Sequence, residues 1–264
     1  MQVPAQTLNR LFTAGFIAKG LVYVLVGGLT LATVLGFAGG RAEGPRGILK
    51  WLEEQTFGAI LVGALGLGLL AYALWRLYRG VFDPESEGTD AKSAGKRVGY
   101  VASGLANGTL AVLALRIAFG SGGSGGGGQR RSLIRSILEL SWGSYLLIGI
   151  GAAVIGAGAY QAYKGYKARF VANVHWRGVS DDAVKRIGRY GHFARAIVFW
   201  IIGYFVILTG VQGDASEFKG TEGALEWLTR HSYGVWLLGL VSAGLLLYGV
   251  FAVMKGWFGS VATR

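Results

Sequence analysis

The sequence predicts an all-α polytopic membrane protein, in which six transmembrane helices form three parallel two-helix repeats around a pseudo-threefold axis. Composition is the first observation behind this prediction: hydrophobic residues make up 52% of the 264 residues and charged residues only 15%, whereas an ordinary soluble domain is about 25% charged. Six apolar stretches long enough to cross a bilayer are the second. A two-helix pattern that recurs three times along the chain is the third.

The six apolar stretches place the predicted helices along the chain. They lie at about 14–36, 57–79, 98–119, 142–163, 190–211 and 233–254. A hydrocarbon core roughly 30 Å thick takes about 20 apolar residues of helix, whereas a strand of a membrane barrel takes only about 10 residues of alternating polarity. The first stretch could also be a cleavable signal peptide, but it is long for one and no A-x-A site follows Gly36, so we expect it to be retained.

Self-comparison divides the chain into three repeats, predicted at 10–82, 95–167 and 187–258. The odd-numbered spans open with the related stretches GFIAKGL, GYVASGL and GHFARAI, which begin at Gly15, Gly99 and Gly191. Each repeat contains two spans, so all three repeats enter the membrane in the same direction. Three such hairpins can close around an axis along the membrane normal, and closure leaves no repeat with an uncovered packing face.

The even-numbered spans agree more closely with one another. Each opens with an aromatic residue and a glycine, carries an aromatic residue seventeen positions after that glycine, and ends in a basic residue followed by a glycine. The residues concerned are Phe57-Gly58, Trp142-Gly143 and Tyr233-Gly234, then Trp75, Tyr160 and Phe251, and finally Arg79-Gly80, Lys164-Gly165 and Lys255-Gly256.

The combined pattern resembles a bacterial family of six-helix membrane proteins that is catalogued only as a domain of unknown function. The residues that carry the resemblance are the G-x-x-A-[KSR]-[GA] opening and, after a loop, an apolar pair, an aromatic-glycine pair and a span ending in a basic residue and glycine, over about residues 10–260. The resemblance implies a location in the bacterial inner membrane. It implies no activity, substrate, cofactor or catalytic residue.

Basic residues are distributed unequally between the two sides of the predicted bundle. The side that holds both termini and the loops at about 80–97 and 164–189 carries 17 basic and 6 acidic residues, a net charge of +11, against +1 on the opposite side. Because lysine and arginine accumulate on the cytoplasmic side of membrane proteins, we expect both termini to be cytoplasmic. The basic face could attract anionic lipids or a protein partner, or could reflect this charge bias alone.

Polar residues inside the spans are few. None of the six predicted spans contains Asp or Glu, although ion-coupled transporters usually keep such a group near the bilayer midplane. The best polar candidates at that depth are Asn107, Thr109, Thr30 and Thr33. They could line a central cavity or a pore. Alternatively, they hydrogen-bond at close helix contacts, which contributes about 1 kcal/mol, and we favour this second interpretation.

Lys19 lies inside the first predicted span with no acidic residue beside it. The matching positions of the other repeats are Ser103 and Arg195, each four residues after the opening glycine. We therefore interpret Lys19 and Arg195 as ligands of lipid headgroups, either as anchors that extend to the interface or as part of a phosphate-binding ring around the axis. The other predicted headgroup ligands are the basic residues that end the even spans, Arg79, Lys164 and Lys255.

Composition also limits the chemistry that the chain can perform. No cysteine is present, which excludes disulfides and thiolate sites, and three scattered histidines offer little for a metal site. We therefore expect no enzyme activity, no cofactor, no metal and no nucleic-acid partner. The predicted function is that of a non-catalytic inner-membrane protein that associates with anionic lipids or scaffolds a protein partner on the cytoplasmic face. The alternative is a channel or uniporter-like carrier with a central cavity.

Overall fold

The computed structural model describes residues 5–37, 44–82, 91–120, 126–168, 170–171, 175–176, 179–229 and 233–260. Six helices of this part of the chain are long and apolar enough to cross a membrane. They are α1 (Ala5–Val34), α3 (Gly58–Phe82), α4 (Ala91–Ala118), α6 (Gly143–Lys167), α7 (Asp181–Gln212) and α9 (Gly234–Phe258). The predicted all-α fold with six spans is confirmed, and the chain is a multi-pass membrane protein.

One short helix precedes the second span of each repeat. These helices are α2 (Pro45–Glu53), α5 (Gly126–Leu138) and α8 (Thr221–Thr229). Leu49 of α2 and Leu225 of α8 are fully buried in the main hydrophobic core, so these helices cover one end of the bundle. The remaining regular elements of the described residues are a 3-10 turn at Ala215–Glu217 and an antiparallel pairing of β1 (His175–Trp176) with β2 (Gly259–Ser260).

The glycines that open α3 and α6 are required by the approach of the preceding short helix. The position that a Cβ atom would occupy on Gly58 is filled by the carbonyl groups of Leu52 and Glu53, and on Gly143 by the carbonyl group of Ile137. A side chain larger than hydrogen would collide with this backbone. This contact is the physical reason for the glycine in the aromatic-glycine pair that opens the even-numbered spans.

The odd-numbered spans begin earlier in the structure than the sequence predicts. α1, α4 and α7 start at Ala5, Ala91 and Asp181, seven to nine residues before the apolar stretches. An apolar stretch marks the part of a helix that suits the membrane, but the helix extends further toward its N-terminus through polar residues, as far as its N-cap. At α7 the cap is Ser180, whose hydroxyl oxygen accepts a hydrogen bond of 3.3 Å from the Ala183 N–H group.

The spanning helices form a ring with one open seam. Around the bundle the contacts run in the order α4, α3, α1, α9, α7 and α6. Within repeats 1 and 3 the two spans pack together, α1 with α3 and α7 with α9. Over the described residues of repeat 2, α4 and α6 make no extensive contact. The end of the bundle at which α1, α4 and α7 begin is termed the basic end below.

Small residues mark three equivalent crossings between repeats. The crossing pairs are Gly20 with Gly249, Gly104 with Ala73, and Ala196 with Gly158. A methyl group on Gly20 would lie only 2.7 Å from the carbonyl oxygen of Gly249, so this approach of α1 to α9 needs glycine. One crossing, made three times between an odd helix and the even helix of another repeat, is the pseudo-threefold arrangement that the sequence predicts.

Candidate functional site

Lys19 lies inside the bundle. Its side chain is 4% exposed, and its ammonium group donates a hydrogen bond of 2.9 Å to the hydroxyl group of Tyr72 on α3. The same nitrogen lies 4.3 Å from the centre of the Tyr72 ring and 6.0 Å from that of Tyr248 on α9. The structure therefore does not show Lys19 extended to the interface as an anchor. Its conformation agrees with the alternative interpretation, a position near the axis, and its role as a headgroup ligand stays a prediction.

Arg195 repeats this arrangement in the third repeat. Its Nη1 atom donates a hydrogen bond of 2.7 Å to the hydroxyl group of Tyr248, and the two residues are 53 positions apart, as are Lys19 and Tyr72. The guanidinium carbon lies 4.4 Å from the centre of the Tyr248 ring and 5.4 Å from that of Tyr23. Tyrosine rings thus surround both deep cations and stabilise them through their π faces.

Glycine allows both tyrosines to reach these cations. A methyl group on Gly15 would lie 2.6 Å from the Cα atom of Tyr72, and one on Gly191 would lie 2.6 Å from the Cα atom of Tyr248. The opening glycine of each odd span therefore lets the two helices of a repeat come into backbone contact. One turn further along, the side chain of Lys19 or Arg195 meets the tyrosine hydroxyl.

Arg76 joins the site, and the sequence analysis did not identify it. Its Nε atom donates a hydrogen bond of 2.8 Å to the hydroxyl group of Tyr72, which accepts from two cations in this way. The guanidinium carbon lies 5.2 Å from the Trp75 ring centre and 5.1 Å from that of Tyr100. The matching positions of the other repeats are Gln161 and Ala252, so a comparison of repeats gives no sign of it.

The tyrosines of the site were also missed, although a signal for them existed. Tyr72 and Tyr248 each lie fourteen residues after the glycine that opens their even span. A search for polar side chains at equal depth in repeats 1 and 3 would have paired Tyr72 with Lys19 and Tyr248 with Arg195. Repeat 2 has Ala157 at the position of the tyrosine and Ser103 at the position of the cation.

The basic residues that end the even spans surround the same region nearer the basic end. Arg79 donates a hydrogen bond of 3.1 Å to the Tyr100 hydroxyl group, and the Lys255 ammonium group lies 4.8 Å from the centre of the Phe16 ring. Lys164 and Lys255 interact electrostatically with each other and with Arg79. Arg79 follows Tyr72 by seven residues, and Lys255 follows Tyr248 by the same number, which is about 10 Å of helix. The cations therefore form an outer ring of Arg79, Lys164 and Lys255 and a deeper group of Lys19, Arg76 and Arg195.

Two buried nitrogen atoms in this region have no hydrogen-bond partner among the described residues, Arg195 Nε and His192 Nδ1. His192 is 4% exposed and packs against the Tyr248 and Phe251 rings. The Arg195 Nε atom carries a hydrogen that can only donate. Buried donors are nearly always satisfied in folded proteins, so an unused donor beside several cations points to an acceptor other than the described residues.

The family of the chain follows from its repeats. The model of the family described as Domain of Unknown Function (DUF1206) matches residues 14–83, 98–168 and 190–259. The chain belongs to this family. A curated relative, the uncharacterised protein YxxB of Bacillus subtilis (strain 168), is 32% identical over 252 residues, which cover 94% of this chain and 90% of the relative. No solved structure matches the chain. The predicted membership of a three-repeat family without an assigned function is confirmed.

The cations contributed by the three DUF1206 repeats converge without an ion pair to a carboxylate of the described residues. They are termed the basic cluster below and comprise Lys19, Arg76, Arg79, Lys164, Arg195 and Lys255. None of the predicted spans contains Asp or Glu. Tyrosine hydroxyl groups and π faces stabilise cations, at about 0.5–2 kcal/mol for each ring contact, but they do not neutralise them. Since buried charge is costly unless paired, the cluster is suited to hold an anion.

Three of the four candidates for a central cavity hydrogen-bond within their own helix, and the role of the four in lining a cavity stays a prediction. Asn107 donates a hydrogen bond of 2.7 Å to the Ser103 carbonyl group of its own helix. Thr109 and Thr33 likewise bond the carbonyl groups of Leu105 and Leu29, and both threonines are exposed. Thr30 is fully buried. Three of the four thus satisfy their polar groups within their own DUF1206 repeat, one turn back along the helix.

The part of the chain that the structure describes contains no set of ligands for a metal ion. No three His, Asp or Glu side chains of these residues lie close enough together to hold a metal ion. The lysine and arginine side chains of the basic cluster offer electrostatic binding and hydrogen-bond donation.

Proposed function

We propose that this protein is a non-catalytic protein of the bacterial inner membrane that binds the phosphate group of an anionic lipid in the basic cluster. One observation carries the proposal: cations from all three repeats converge inside a bundle whose predicted spans contain no carboxylate. An intramembrane ionisable group is costly and marks a functional site by default. Lys19, Arg76 and Arg195, which are held by tyrosine hydroxyl groups, call for a ligand of the opposite sign.

Phosphate suits this set of donors better than a single carboxylate does. Guanidinium groups offer paired N–H donors that match the oxygens of a phosphate group, and lysine adds mobile point charges. Arg195 on α7 has an Nε donor without a partner among the described residues, and Arg76 and Arg79 approach from α3. Several donors around one centre can therefore contact several phosphate oxygens at once.

The position of the cluster supports a lipid as the source of the phosphate. The outer ring lies close to the basic end, where α3 and α9 terminate within a few residues of Arg79 and Lys255. With the predicted topology this end faces the cytoplasmic leaflet, whose anionic lipids attract basic groups by about 1 kcal/mol for each charge near the surface. A lipid phosphate at that level is within reach of the ring. A protein partner on the same face stays a prediction.

The test compares purified full-length variants of equal charge. Arg195→Gln/Lys255→Gln removes two cations of the cluster, whereas Arg116→Gln/Lys50→Gln removes two exposed cations elsewhere. The protein is extracted in mild detergent from membranes, and bound phosphatidylglycerol per protein is counted by native mass spectrometry. We expect lipid to remain on the wild type and on the control but to be lost from the cluster variant. Equal helicity and an unchanged elution volume show that the variant is folded.

Three other results would overturn or redirect the proposal. Lipid retained equally by all three proteins would show that the cluster does not hold it. Absence of lipid from the wild type, with thermal stabilisation by inorganic phosphate alone, would make the ligand a free phosphate. Phosphate flux through liposomes that the cluster variant abolishes would support the carrier alternative.

A further inference from the structure

Repeat 2 differs from repeats 1 and 3 both in sequence and in structure. Among the described residues, only repeat 2 lacks a buried contact between its two spans. In repeats 1 and 3, Gly15 and Gly191 lie against the backbone of a tyrosine on the partner helix. Their counterpart Gly99 has no atom within 4 Å of the position of a Cβ atom. The tyrosine itself is replaced in repeat 2 by Ala157.

Equivalent positions of the even spans show how far the seam is open. Seven residues after the opening glycine, Leu65 and Val241 are 8% and 0% exposed, but Ile150 is 41% exposed. Seventeen residues after it, Trp75 and Phe251 are each 3% exposed, but Tyr160 is 51% exposed. On α4, Ala102 and Ala106 are exposed too, whereas the matching Ala18 and Val22 of α1 are buried. An apolar seam therefore runs between α4 and α6 along much of their length.

The seam leads to the basic cluster. On the α4 side, the Tyr100 ring centre lies 4.3 Å from the guanidinium carbon of Arg79 and 5.1 Å from that of Arg76. On the α6 side, the Tyr160 ring centre lies 5.3 Å from the ammonium group of Lys164. Both walls of the apolar seam thus carry, toward the basic end, an aromatic ring in contact with a cation of the cluster.

We propose that an acyl chain of the anionic lipid lies in the seam between α4 and α6 while its phosphate group occupies the basic cluster. This inference rests on the proposed function and names the ligand as a membrane lipid, because an opening toward the acyl chains serves no purpose for a soluble phosphate. A cationic site at one end and an uncovered apolar seam along the hydrocarbon region complement the two halves of such a lipid. Ser103 and Ala157 keep the seam open, since repeats 1 and 3 close it with a basic residue and a tyrosine at these positions.

The experiment fills the seam without removing a cation of the cluster. Ala157→Trp places a large ring in the seam, and Ala159→Trp places the same ring on an exposed position of the same helix, about 200° away around it. Ala106→Trp fills the seam from α4 and provides a second variant if Ala157→Trp does not fold. Each protein is assayed for retained phosphatidylglycerol by native mass spectrometry and for thermal stabilisation by inorganic phosphate, which can reach the cluster from the basic end.

We expect the seam variants to lose about tenfold in retained lipid, equivalent to about 1.4 kcal/mol, while Ala159→Trp keeps it and inorganic phosphate still stabilises all of them. Retention by the seam variants equal to that of Ala159→Trp overturns the inference and leaves the proposed function intact. Equal loss from all three variants also overturns it, because the seam would then have no special part. Absence of lipid from the wild type would instead count against the proposed function.

Discussion

Lys19 and Tyr72 form a buried pair in which the lysine ammonium group donates a 2.9 Å hydrogen bond to the tyrosine oxygen and lies 4.3 Å from the centre of the same ring. The partner of this buried lysine among the described residues is a tyrosine and not a carboxylate. A carboxylate in the same place would have neutralised the charge and closed the site. Because Arg195 and Tyr248 make the same kind of pair, the protein keeps positive potential inside the bundle and holds it in a defined position.

Removal of the tyrosine hydroxyl groups is expected to destabilise the bundle. Tyr72→Phe leaves Lys19 and Arg76 each without an acceptor, and an unsatisfied buried donor costs about 1–3 kcal/mol. Tyr248→Phe removes an acceptor from Arg195 alone among the described residues, so it should destabilise the bundle less than Tyr72→Phe. Thermal unfolding in detergent measures both, with Tyr145→Phe as the control because Tyr145 is 78% exposed. Equal melting temperatures for Tyr72→Phe and Tyr145→Phe would contradict the buried geometry.

The opening glycines provide a matched pair for the open seam. Gly15→Ala would force a methyl group to within 2.6 Å of the Tyr72 backbone, and overpacking of this kind costs about 1–3 kcal/mol. Gly99→Ala at the equivalent position meets no atom within 4 Å. It should be neutral or stabilise α4 slightly, since alanine is favoured over glycine in a helix by about 0.5–1 kcal/mol.

Thermal unfolding of both glycine variants in one detergent gives the comparison. Gly191→Ala should behave like Gly15→Ala, because it approaches Tyr248 in the same way. A destabilisation by Gly99→Ala as large as that by Gly15→Ala would mean that α4 and α6 pack together in the membrane.

Inorganic phosphate should stabilise the delipidated protein more than chloride at equal ionic strength. A ligand that binds only the folded state at 100 times its dissociation constant adds about 2.7 kcal/mol. Lys19→Gln should reduce the rise in melting temperature because it removes a deep cation, while helicity is retained. Arg116→Gln is the control, since Arg116 is exposed. An undiminished phosphate effect in Lys19→Gln would remove Lys19 from the proposed site.

The predicted topology can be tested because the chain has no cysteine. Lys50→Cys in α2 and Lys167→Cys at the end of α6 place single thiols at exposed positions on opposite ends of the bundle. With cytoplasmic termini, a membrane-impermeant maleimide should label Lys50→Cys in intact spheroplasts, and Lys167→Cys only after permeabilisation. The reverse pattern would place the basic end outside and would contradict the expected orientation.

Much of the fold could be predicted from local properties of the sequence. Apolar length predicts a span wherever about 20 residues suit the hydrocarbon core, and the recurrent Gly58 and Gly143 predict one hairpin repeated. Hydropathy does not predict the starts of α1 and α4. The start of α7 could be predicted from another signal, because Ser180 followed by Asp181 and Asp182 is typical of an N-cap, and Ser180 is the N-cap of α7.

By itself the sequence determined the class of the protein, the number and order of its spans, its three repeats and the equivalent positions of Lys19 and Arg195 along their spans. Only the tertiary structure decided which side chains meet. The position of a residue along its helix is set by residue number. The rotation of the helix about its own axis and the helices that it contacts are set by packing between distant segments. That packing brings α9 against α1 and Tyr72 against Lys19, adds the unrepeated Arg76 to the site, and leaves α4 apart from α6 where Ala157 replaces a tyrosine.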